Sequence, residues 1–200
     1  TGDKRCLEFL NGWYGKMLGN GFDKNINTMS PLLAMTYLYE AEKNTGYLEV
    51  IKENAEWLMN KMPRTVEGGM QHLTTHTINN DQMWADTLFM TVLFLARAGK
   101  VLNNQEMQDE AVYQTIIHIK YLSDCESGLW YHGWSLTERH FGGVLWGRGN
   151  CWITAAIPEI LTTVENMSVT DRRVLEEAYK RQVEALIKYQ DISGMWRTII

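Results

Sequence analysis

The sequence predicts an all-α protein of helical hairpins, in which apolar helices form an inner ring and amphipathic helices wrap it. Three observations carry this expectation. Helical periodicity dominates with no convincing series of alternating strands, apolar helices alternate with amphipathic ones, and a glycine-bearing loop recurs after the amphipathic members.

The elements follow in order. Asp3 to Leu18 reads as one helix and Ser30 to Lys43 as a second, with Leu33, Ala34, Tyr37 and Leu38 on one face. Tyr47 to Met62 follows the break Asn44-Thr45-Gly46 and stops at Pro63, since the residue before proline disfavours the helical region. Met83 to Ala98 is strongly apolar and is expected to end at Gly99, with Asp81 as its cap. Asn104 to Leu122 is amphipathic. Val144 to Val164 is apolar, with a Pro158 expected to kink or split it. Asp171 to Tyr189 is long and charged on one side.

The recurrent loops are 63–72, 124–132 and 191–197, each a turn with Gly, then an apolar or aromatic pair, then a polar residue. Such recurrence is expected of an array of hairpins that presents one set of loops at the end where the inner helices begin. That end is where a site would be built.

Composition narrows the function. The chain has 200 residues, 45% hydrophobic and 22% charged, an ordinary globular balance. A net charge of -5 argues against a nucleic-acid partner, which would call for a basic face. No apolar run reaches membrane-spanning length. The start of the chain does not read as a leader peptide. Cys6, Cys125 and Cys151 are scattered without a CxxC pair and read as free thiols of a reducing, cytoplasmic compartment. Eight Trp, several beside Gly, His and Arg in loops, suit sugar-stacking walls as well as a core.

Three segments could carry chemistry. Asp86 stands near the start of an apolar helix beside Trp84 and Phe89, where a helix-dipole role competes with that of a proton donor whose pKa is raised by apolar surroundings. Arg148 lies between two glycines and two tryptophans, Trp146 and Trp152, a pattern suited to binding a carboxylate while the rings stack on a sugar. The alternative for Arg148 is a salt bridge within a hairpin junction. His132 occupies a Gly/Trp loop at the same end. His72 and His76 are four apart, but no cysteine or carboxylate completes a metal set, so no metal and no cofactor are expected.

Four segments, 63–69, 82–90, 128–134 and 146–152, resemble glycoside hydrolase family 105, the unsaturated rhamnogalacturonyl hydrolases, in order and in spacing. The resemblance implies an (α/α)6 barrel that hydrates the vinyl ether of a 4,5-unsaturated galacturonic acid joined to rhamnose. It implies Asp86 as the proton donor. It implies His72, Trp84, His132, Trp146, Arg148 and Trp152 around the sugar, with Arg148 meeting the uronate carboxylate. The partner implied is a small unsaturated oligosaccharide from pectin breakdown, with no membrane and no nucleic acid. A second acidic residue of the family has no clear counterpart in 23–28, where Asn25 and Asn27 stand. Seven helices are about half of a six-hairpin barrel. The expectation is therefore one toroid domain over 1–200, incomplete, without the first helix and the last hairpins. Two competing readings are a glucuronyl hydrolase acting on glycosaminoglycan fragments and a catalytically silent carbohydrate-binding helical domain.

Overall fold

The computed structural model describes residues 3–200. Helix α1 (Lys4–Asn20) opens on Asp3, whose carboxylate accepts the Arg5 amide, an N-cap that satisfies one orphan donor. A short α2 (Ile26–Met29) leads into α3 (Leu32–Glu42), which forms a hairpin with α4 (Thr45–Asn60). A π-helical segment, Leu88–Val92, runs into α5 (Leu93–Val101), which pairs with α6 (Gln105–Leu122). The third hairpin joins α7 (Gly147–Thr163) to α8 (Val169–Tyr189).

The first helix of each hairpin is inner and the second outer: α3, α5 and α7 pack side by side, and α4, α6 and α8 lie on their outer side. Burial follows that division. Every residue from Leu93 to Gly99 of α5 is buried, whereas α8 buries only Leu175, Ala178, Gln182 and Ala185, one narrow stripe at helical spacing. Arg97 is the one cation inside α5 that is buried. It pairs with Glu40, stacks on the Tyr37 ring at 3.9 Å and so ties α5 to α3.

The repeated loops are alike in backbone as well as in sequence. Gly68, Gly128 and Gly194 all have φ near +80°, a region where a side chain is strained. In each loop the N–H of this glycine donates back to a carbonyl, of Thr65, Asp124 and Asp191 respectively. His72 and His132 both lie four residues beyond their loop's glycine, so the repeat delivers an imidazole to equivalent places twice.

Several expectations are corrected. Met83 and Trp84, expected to open a helix, lie in a strand: β1 (Gln82–Trp84), β2 (Gly133–Ser135) and β3 (His140–Phe141) make an antiparallel sheet in that order. Three-residue strands offer too little alternation to read in sequence. Asp81 does not cap the following helix. It takes a positive φ of 57° and its carboxylate accepts Val66 N–H and Thr137 O–H, binding three loops together. Gly99 lies inside α5, not after it, and serves packing: a Cβ there would meet Gln108 Cγ at 2.8 Å, so its absence lets α5 press on α6. The helix expected from Val144 begins at Gly147, and Pro158 sits within it without dividing it.

Candidate active site

The site forms where inner helices begin. β1 carries Trp84, and the chain turns at Ala85 so that Asp86 stands in the first helical turn before the π-helical segment. Across from it, the Ala85 N–H donates to the His132 carbonyl at 2.8 Å, which clamps the two segments in register. His132 Nε2 and Asp86 Oδ2 are 2.7 Å apart. Since an ionised carboxylate can only accept, Nε2 carries the hydrogen.

The aromatic neighbours are continuous. His72 stacks on Trp84 with centroids 4.2 Å apart and planes 4° from parallel, and its Nδ1 lies 3.3 Å from Thr87 Oγ1. Trp84 meets His132 edge-on at 4.8 Å, and His132 meets Trp146 at 4.5 Å. Arg148 lies over the Trp146 ring at 4.2 Å. Among the described residues it makes no ion pair with a carboxylate, so no salt bridge of the hairpin-junction kind forms there. Trp152, one helical turn beyond Arg148, packs on Phe89 at 4.8 Å and adjoins the site through that ring. Thus Asp86, His72, Trp84, His132, Trp146 and Arg148 form one contiguous set, with Trp152 at its edge.

The glycines beside Arg148 serve space and not unusual angles, since neither has a positive φ. A Cβ on Gly147 would lie 2.7 Å from the Arg197 carbonyl, and one on Gly149 would press on Trp146 at 3.2 Å.

The electrostatics of Asp86 also differ from expectation. Burial pushes its pKa up, as the apolar neighbours predict, but the His132 hydrogen bond and the imidazole charges nearby outweigh burial and hold it below the usual carboxylate value. Histidine 132 is 46 residues away, so local sequence could reveal only the burial. Burial dominates at His72, whose pKa is pushed down to about 4, and it is a neutral ring at pH 7. His118, deep in α6, is likewise pushed down to about 4, with Nδ1 on the Gln114 carbonyl at 2.7 Å and Nε2 without a partner among the described residues.

These two rings set an acid sensitivity. Each histidine's folded pKa lies below its ordinary 6.5, so the unfolded chain takes up the proton first. Stability is whole above about 6.5 and falls as pH drops, levelling below about 4, by about 3 kcal/mol for each ring. The stabilising share of Asp86 runs on to lower pH, since its folded pKa is itself depressed. Urea unfolding at pH 7 and pH 4.5 checks this. His118→Met is expected to remove roughly half of the difference, and an equal difference in that variant would refute the assignment.

Sequence reasoning missed Asn150. Wholly buried at the first turn of α7, it accepts Trp130 N–H at 2.9 Å and donates to the carbonyls of Trp130 and Trp146 at 3.0 and 3.1 Å. Gln182 of α8 donates to its side-chain oxygen at 3.2 Å. It thereby fixes both the loop leading to His132 and the residue beneath Arg148. The signal available was its place in the Trp146-Gly147-Arg148-Gly149-Asn150 run. Asn25, weighed for an assisting role, is a cap: its oxygen accepts the amides of Asn27 and Thr28, and its nitrogen donates to Thr75. Among the described residues no group of three or more His, Cys, Asp and Glu side chains converges as metal ligands, and His76 lies exposed, apart from buried His72.

Hairpins of one inner and one outer helix, with a carboxylate–imidazole pair among indoles where the inner helices begin, define an α/α toroid protein. The chain belongs to Glycosyl Hydrolase Family 88, whose sequence profile matches residues 1–200. It is 30% identical over 204 residues to the unsaturated rhamnogalacturonyl hydrolase YesR of Bacillus subtilis (strain 168), covering 100% of this chain and 59% of that protein. A structure from Klebsiella pneumoniae subsp. pneumoniae MGH 78578, described as a possible GH105 member, superposes with TM-score 0.96 at 42% identity, over 100% of this chain and 53% of that one. A possible GH105 member from Salmonella enterica subsp. enterica serovar Paratyphi A str. ATCC 9150 gives TM-score 0.95 at 44% identity, with the same coverage of both chains. The chain thus spans between half and three-fifths of the length of these relatives. No helix of the described residues is long and apolar enough to cross a membrane.

Proposed function

We propose that the protein is a cytoplasmic hydrolase of small unsaturated uronyl saccharides, which removes a 4,5-unsaturated galacturonic acid from rhamnose by hydrating the vinyl ether. The observation that carries this reading is the Asp86–His132 pair at 2.7 Å with Arg148, which pairs with no carboxylate among the described residues, stacked on Trp146. The reaction needs a proton at C4, a water at C5 and a cation for the substrate carboxylate. Arg148 supplies the cation and Asp86 the proton. The similarity to YesR supports the choice of sugar.

In the empty site Asp86 favours its ionised form. A uronate ring brings a negative charge and displaces water, and both raise the cost of ionised Asp86, so substrate binding favours the protonated acid. Asp86 then gives its proton to C4. The anion left behind takes a proton from the water that adds at C5, which restores the acid. The C5 hemiketal opens to a ketone, the proton passing to the ring oxygen, and the hemiacetal at C1 collapses to an aldehyde and the free alcohol of the leaving sugar. The sum is one water added.

The test is the decay of ultraviolet absorbance from the conjugated double bond, with unsaturated galacturonyl-rhamnose compared against unsaturated glucuronyl-hexosamine. Faster decay of the first supports the reading. Faster decay of the second would transfer the protein to glycosaminoglycan fragments, and sugar binding without decay would make it a silent binding domain.

A further inference from the structure

Thr87, the residue after the candidate acid, is wholly buried and stands where Asp86 gives way to the π-helical segment. Among the described residues its hydroxyl has a single hydrogen-bond partner, His72 Nδ1 at 3.3 Å. Its carbonyl is held separately, by the Thr91 hydroxyl at 2.9 Å. His72 is pinned as firmly. Its N–H donates to the Gln82 carbonyl at 2.9 Å, its carbonyl accepts the Asn79 side-chain amide at 2.8 Å, and its ring lies flat on Trp84. Nothing in the chemistry above uses Thr87.

Counting donors decides which way this bond runs. A hydroxyl can donate or accept, and a neutral imidazole has one nitrogen of each kind. Were the His72 hydrogen on Nδ1, that N–H would donate to Thr87 Oγ1, and the buried Thr87 O–H would be left with no acceptor among the described residues. With the hydrogen on Nε2, the Thr87 O–H donates to the Nδ1 lone pair and both groups are satisfied. Nε2 itself bonds no described residue and is not among the sealed, unpartnered atoms, so its N–H is open to a ligand.

Resting on the hydrolase reading, we propose that Thr87 is a positioning residue: by donating to Nδ1 it fixes His72 as the Nε2–H tautomer, a donor to the sugar and not a base beside Asp86. The reason is the proton that Asp86 must give to C4. His72 lies close enough to Asp86 for each charge to act on the other. Even pushed down to about 4 by burial, a His72 lone pair open to the site would compete for that proton, because the pKa of Asp86 is itself below the usual carboxylate value. Thr87 occupies the basic nitrogen of His72, and His132 turns its hydrogen-bearing Nε2 to the carboxylate. Both imidazoles beside the acid then offer N–H groups, and the proton stays on Asp86 until C4 takes it.

The test places the ring hydrogen by nitrogen-15 NMR of histidine-labelled protein at pH 7, with the His72 signals identified by their loss in His72→Asn. Turnover of unsaturated galacturonyl-rhamnose is measured alongside, in the parent, Thr87→Val and Thr87→Ser. The parent is expected to carry the hydrogen on His72 Nε2, with Nδ1 hydrogen-bonded. Thr87→Val, which removes the hydroxyl at similar shape, is expected to lose the hydrogen-bonded Nδ1 signal and to admit the Nδ1–H tautomer, with kcat down about tenfold and KM within about threefold. Thr87→Ser is expected to restore the spectrum and to bring kcat within about threefold of the parent. A parent with the hydrogen on Nδ1 would overturn the assignment, even should Thr87→Val fail to fold. So would an unchanged His72 spectrum or kcat in a folded Thr87→Val, or a kcat that Thr87→Ser does not restore. The spectra need no turnover, which separates the two readings. A parent that hydrates no unsaturated uronyl disaccharide overturns the hydrolase reading and the role of Thr87 with it, whereas the wrong tautomer in an active parent overturns the role of Thr87 alone.

Discussion

Asp86→Asn is expected to lower turnover of the unsaturated disaccharide by about 10²–10⁴-fold, the usual contribution of a positioned acid, with the fold retained. Asn matches Asp in shape, and its oxygen can still accept from His132 Nε2 at the 2.7 Å position, so the loops on either side keep their contact. What Asn lacks is a transferable proton. Circular dichroism and thermal unfolding close to the parent, together with a lost absorbance change, would assign the deficit to chemistry. Undiminished turnover would remove Asp86 from the mechanism. The same account gives a pH dependence. Because His132 keeps the Asp86 pKa below the usual carboxylate value in the free protein, kcat/KM is expected to rise as pH falls from neutral, about tenfold per unit while protonated Asp86 is the minor form. That rise ends where protonation of His72 and His118 undermines the fold, toward a pH of about 4.

Asn150→Ala is expected to be the most destabilising change near the site, by about 3–5 kcal/mol, because it leaves several buried partners unsatisfied and each costs about 1–3 kcal/mol. The Trp130 amide and carbonyl lose their bonds, and the Gln182 amide loses one of two acceptors. For a chain of this size that corresponds to a fall in Tm on the order of 10 °C. Activity should fall beyond the loss of folded protein, since Trp130 precedes Tyr131 and His132, and Trp146 supports Arg148. Asn150→Asp, which keeps the acceptor but loses both donors, is expected to lie between. A Tm within about 2 °C of the parent for Asn150→Ala would show that the network is dispensable.

The sequence by itself determined the helical-hairpin architecture, because burial in helices is written locally. The near-total apolar run in 93–99 and the sparse stripe of α8 each announce their layer through spacing alone. The recurrent glycine loops were legible for a similar reason, since a positive φ constrains which residue can stand there. Asp86 and Arg148 were legible as candidates from their immediate neighbours. Tertiary structure decided everything that depends on residues far apart in the chain. It brought His132 onto Asp86 across 46 positions, which turned an expected raised pKa into a lowered one. It turned Asp81 from a helix cap into a loop clasp, and laid Arg148 over the Trp146 ring with no acidic partner among the described residues. It assembled β1, β2 and β3 from runs of two or three residues, too short to carry a period, and with them a cavity lined by Trp84 and His132. The physical reason is the same in each case: periodicity reports how a residue meets its own helix or strand, while charge pairing and concavity arise only when separate segments meet.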